Sequence, residues 1–102
     1  MAGQPVTISF QQYQFIGTHQ TVTPNAASGI VVPAGANAIL AQAVGQNVRV
    51  KFDAQQPSPT SGFQIRAGDP PVLLVLQEGQ FFYVINEVSG GTFEWIGVSQ
   101  PN

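Results

Sequence analysis

A two-residue period runs through almost the whole chain, cut by glycine and proline turn signals about every 8–12 residues. Alternation of this kind places successive side chains on opposite faces of a strand. Val48, Val50 and Phe52 fall on one face, while Asn47, Arg49, Lys51 and Asp53 fall on the other. Val6, Ile8 and Phe10 share a face, and the parity then shifts to Tyr13 and Phe15, as one extra residue near Gln11-Gln12 would cause. Nowhere do apolar residues recur at helical spacing between caps, and the Gly and Pro punctuation leaves no room for a helix. The pattern predicts an all-β fold of eight or nine short strands with little or no helix. That means an antiparallel β-sandwich, jelly-roll-like, or a small barrel.

Segment by segment, SGIVV is a short apolar run stopped by Pro33 and Gly35, and NAILAQAV is a strand. Gly45-Gln46 leads directly into NVRVKFD, which predicts a type II′ hairpin turn. AQQPSPTSG is a loop, FQIRAG a short strand ending at GDPP, and VLLVLQ a strand buried on both faces. QFFYVINEV and TFEWIGVS are the last two strands, joined through Ser89-Gly90-Gly91. At 102 residues the chain is expected to be one domain over 1–102, with 1–5 and 99–102 frayed.

Charge is scarce. Only 8% of residues are charged, against about 25% in ordinary domains, and polarity comes from Gln, Asn, Ser and Thr instead. Amides lose less than ions on leaving water, so such a surface is easily buried against a partner. The net charge of -2 argues against nucleic acid, whose phosphates call for clustered Lys and Arg. No stretch approaches the ~18 apolar residues of a membrane span, and the start lacks the regions of a signal peptide. No membrane partner is therefore expected, and synthesis in a cytoplasm is.

The residue inventory offers little chemistry. There is no cysteine, and His19 is the only histidine, with no second ligand near it in sequence. Asp53, Asp69, Glu78, Glu87 and Glu94 are scattered, and Asp69 and Glu78 sit in evident turns. Neither G-x-G-x-x-G nor a P-loop occurs. No enzyme activity, cofactor or metal is expected. The candidate residues are instead those that could meet a partner. Arg49 and Lys51 share a wet face that Arg66 could reach from the strand after the proline loop. Phe81 and Tyr83 share a face of their strand, and Trp95 lies on the next one.

The order of segments over roughly residues 29–98 resembles small virion proteins of tailed bacteriophages. The resemblance lies in the V-P-A-G-A turn (Val32 to Ala36), the Asn47 to Phe52 strand with Asp53, and the Pro59 to Phe63 segment. The Ala67-Gly68-Asp69 turn and the late aromatic strand from Phe81 to Ile85 complete it. Pro70-Pro71 after the Ala-Gly-Asp turn departs from the pattern, and residues 1–28 carry none of it. The resemblance implies a non-enzymatic virion structural protein, foremost a capsid decoration or cement protein bound to the major capsid protein or other virion proteins. A homo-oligomer is expected, with a trimer among its forms. The alternative it leaves open is a tail or head–tail-joint module that recognises carbohydrate or a host receptor.

Overall fold

The computed structural model describes residues 14–52, 55 and 58–100. Its regular structure is eight strands: β1 (Gln14–Val22), β2 (Ser28–Val31), β3 (Ala38–Val44), β4 (Val48–Lys51), β5 (Phe63–Ile65), β6 (Val72–Val75), β7 (Phe81–Asn86) and β8 (Thr92–Ser99). They form two four-stranded sheets, ordered β1-β8-β3-β6 and β2-β7-β4-β5, and every pairing is antiparallel. In both sheets early strands interleave with late ones, which is the strand order of a jelly roll. The described residues contain no helix.

The core follows from the alternation. Ile39, Ala41 and Ala43 of β3 and Phe93 of β8 point inward from one sheet. Ile30, Val48, Val50, Phe82 and Val84 point inward from the other and belong to the same buried cluster. Phe82 and Phe93 are the largest fully buried side chains, and small Ala36, Ala41 and Ala43 lie in their cluster, so bulk and absence of bulk complement each other. Burying either ring is worth about 1.5–3 kcal/mol in transfer terms. Phe52, placed by its parity among the inward residues, follows β4 and is only half-buried; it packs against Phe82 at 5.5 Å between ring centroids and Phe63 at 6.1 Å.

Three local expectations are corrected. Gly45 does take a positive φ of 86°, but β3 and β4 do not form a hairpin: they lie in different sheets, and Gly45-Gln46 crosses between the layers. β3 is already flanked on both sides, by β8 and β6, so its chain neighbour has no free edge to join. β6 is not buried on both faces, because it ends its sheet; Leu74 turns to the core, whereas Val75 is 68% exposed. Ser99 and Gln100 are not frayed. Ser99 pairs with Gln14, and Gln100 N–H donates to Asn37 Oδ1 at 2.8 Å while Asn37 Nδ2 donates to Gln100 O at 3.1 Å. The register of β1 against β8 slips between Ile16 and Gln20, where Gly17 has φ 78°; the irregularity expected at Gln11-Gln12 lies outside the described residues.

Two polar nodes tie the ends of the sandwich. Asn86, at 3% exposure, donates through Nδ2 to Asn25 Oδ1 (2.9 Å) and Gly91 O (3.0 Å), and Gly90 N–H also donates to Asn25 Oδ1 (3.0 Å). At another loop, Glu78 Oε1 accepts from Gly35 N–H at 2.8 Å, which pins the Pro33-Ala34-Gly35 turn to the β6–β7 connection.

Candidate interaction surface

The outer face of the β2-β7-β4-β5 sheet gathers most of the residues singled out from sequence. Parity sends Arg49 and Lys51 outward from β4, and Phe81, Tyr83 and Ile85 outward from β7. Register then sets Lys51 opposite Tyr83 and Arg49 opposite Ile85. The Phe81 and Tyr83 rings meet edge to face at 4.9 Å and 85°, a favoured arrangement for aromatic quadrupoles. Phe81 also reaches diagonally across β2. A Cβ built on Gly29 would stand 2.4 Å from its Cζ, so the ring occupies the space a side chain at Gly29 would need. An aromatic covering a glycine on an edge strand restores the packing that the glycine lacks.

Arg49 is not a free cation. Its Nε donates to Glu87 Oε2 at 2.5 Å and its Nη1 to Gly62 O at 3.1 Å. Gln64 Nε2 donates to the same Glu87 oxygen at 2.7 Å, and Asn47 Nδ2 reaches Glu87 Oε1 at 3.4 Å. The Gln64 hydrogen bond does most to hold the Glu87 carboxyl below its ordinary value; desolvation opposes it, and the hydrogen bonds from Arg49 and Asn47 then add to the lowering. The cluster clamps β4, β5 and the residue after β7 together. Lys51 and Arg66 form no ion pair among the described residues, and Arg66 stands exposed in the turn that follows β5.

Trp95 does not join this surface. β8 belongs to the other sheet, and the Trp95 side chain shares the inward parity of Phe93 and packs against the core. The outer face of its own sheet carries Leu40, Leu73, Val75 and Ile96 where a solvent-facing sheet would carry polar residues. A shallow depression there is lined by His19, Leu40, Gln42, Pro71, Glu94 and Ile96, among others. Within it Glu94 Oε1 accepts from Gln42 Nε2 at 3.0 Å and lies 3.6 Å from His19 Nε2. One imidazole and one carboxylate at that separation include no aligned nucleophile.

Sequence reasoning missed the partner of Arg49. The signal was present in part: Glu87 continues the outward parity of Phe81, Tyr83 and Ile85, but only the β4–β7 pairing brings it to Arg49. No group of three or more His, Asp or Glu side chains that could hold a metal occurs among the described residues, and no helix there is long and apolar enough to cross a membrane. Comparison with known proteins found no match: no family model, no curated protein and no solved structure.

Proposed function

We infer that the chain is a non-enzymatic structural protein of a phage particle, a decoration or cement protein that binds major capsid subunits. The observation that carries this reading is the apolar outer face of the β1-β8-β3-β6 sheet, where Leu40, Leu73, Val75 and Ile96 look away from the core. A sheet face of that composition gains by being covered, and exposed apolar patches rimmed by polar groups are characteristic of protein contact sites. The low charge and the abundance of amides support the same reading, since little ion desolvation opposes burial. A standard interface buries about 1,600 Å² in total, which a chain of this size supplies by presenting whole sheet faces. The experiment is a titration of the recombinant chain onto phage heads that lack it, followed by imaging of the decorated particles. Saturable density at fixed positions on the shell is the expected result; absence of binding at micromolar concentration would overturn the reading.

A second reading, a tail or joint module that recognises carbohydrate, is favoured by one observation. Phe81 and Tyr83 form their ring pair on an open sheet face directly beside Lys51. Binding on a glycan array that is lost in Tyr83→Ala, with shell binding absent, would select it.

A further inference from the structure

We propose that the free edge of β6 pairs with the same edge of a second copy of this chain, about a twofold axis. β6 is the last strand of its sheet and is hydrogen-bonded to β3 alone among the described residues. The direction of its backbone groups follows from the ladder. Leu76 N–H donates to Asn37 O at 3.2 Å, so by alternation the groups of Leu74 also turn to β3, and those of Leu73 and Val75 turn to the free edge. Unpaired strand groups of this kind are templates for another strand, and natural edges are usually blunted by charge, proline or a bulge. Val72–Val75 carries none of these. The other edges are weaker templates: β1 is broken by its register slip, β2 has Gly29 in its middle, and β5 is three residues long.

The occupant is a second copy because the edge is complementary to itself. With the axis passing by Leu74, Leu73 of one copy stands opposite Val75 of the other, and each such pair exchanges its N–H and C=O bonds. The side chains of Leu73 and Val75 then meet across the seam on the outer face, continuous with Leu40 and Ile96. In this register Pro71 faces Gln77 of the second copy; lacking an N–H, it ends the pairing there. The neighbouring groove is lined by Asn37, Val75, Leu76, Gln77, Gln80 and Gln100, all neutral, so two copies approach without like-charge repulsion. A twofold contact of this type is isologous and closes on a dimer.

The test is sedimentation velocity at roughly 100 µM chain, a concentration at which even an interface below standard size is populated. Val75→Pro removes an edge donor that takes no part in the β3 ladder, and Val75→Lys places a charge on the same exposed edge. The wild type is expected to run as a dimer. Both variants should associate at least about tenfold more weakly, with their melting curves unchanged by circular dichroism. A wild type that is monomeric or trimeric at this concentration overturns the proposal, as does a Val75→Lys variant that dimerises like the wild type. Should Val75→Pro not fold, Val75→Lys decides alone.

Discussion

Arg49 Nε donates to Glu87 Oε2 at 2.5 Å, so the first cation of the NVRVKFD strand is held by an acid from the far end of β7. Lys51, two residues on and on the same face, has no such partner among the described residues. The two cations therefore have separable roles. Arg49→Gln should lower the melting temperature by a few degrees, because Glu87 and Gly62 O each lose a donor. Lys51→Gln should leave stability within about 0.5 kcal/mol of the parent, as exposed substitutions do. If Lys51 meets an acidic partner surface, its change should weaken shell binding and reduce the salt dependence of that binding. Thermal melts of the single variants, paired with titrations at two salt concentrations, read both effects.

Glu87 also sets a pH dependence. Its carboxyl is more acidic in the folded chain than in the unfolded one, so its contribution is present above the ordinary carboxylate range. That contribution is lost as pH falls through the depressed folded value. Denaturant melts between neutral and acid pH should show wild-type stability declining on acidification, and Glu87→Gln should be less stable at neutral pH with a shallower acid decline. Equal slopes in the two proteins would contradict the assignment.

Gly29→Ala should be coupled to Phe81. The new Cβ would stand 2.4 Å from Phe81 Cζ, so the ring must swing away from β2. Because that ring lies on an open face, the cost is expected near the low end of overpacking, about 1 kcal/mol. In a double-mutant cycle with Phe81→Ala the two changes should be less than additive.

Core truncations should rank by burial. Phe82→Ala empties a fully buried site and should cost about 3–5 kcal/mol, a large part of the stability of a small domain. Phe52→Ala, at a half-buried position after β4, should cost less, about 1–3 kcal/mol. Urea melts of both variants give the order directly.

Asn86→Asp tests the polar node near the β7–β8 turn. Nδ2 of Asn86 donates to two oxygens, Asn25 Oδ1 and Gly91 O, and a carboxylate there would present an acceptor to both. The expected loss exceeds about 2 kcal/mol at neutral pH, since a buried charge would face unpaired acceptors. Acidification should restore part of it by protonating the new carboxyl.

Much of this fold is legible in the sequence because a strand's side-chain period is local. The inward set of Val48 and Val50, the opposite facing of Phe82 against Phe81 and Tyr83, and the outward setting of Arg49 and Lys51 all follow from parity. Long-range pairing is not local, and the misreadings fall there. Gly45-Gln46 satisfies the chemistry of a hairpin turn, yet nothing nearby says that β3 is flanked by strands from much later in the chain. The same blindness hid Glu87 from Arg49 and grouped Trp95 with aromatics of the opposite sheet. VLLVLQ reads as doubly buried because an apolar run looks the same at a sheet's edge as at its centre.

The interleaving of early and late strands has a consequence for how the chain reaches this state. Apart from β4 with β5, no strand is paired with its neighbour in sequence, and β8 is the partner of both β1 and β3. Until the polypeptide is complete through Ser99, β1 and one side of β3 lack β8, the strand that pairs with both among the described residues. Topologies dominated by such distant closures fold in milliseconds to seconds rather than microseconds. Folding therefore waits for β8, and a chain truncated before Thr92 would leave β1 and one edge of β3 without that partner and open to aggregation.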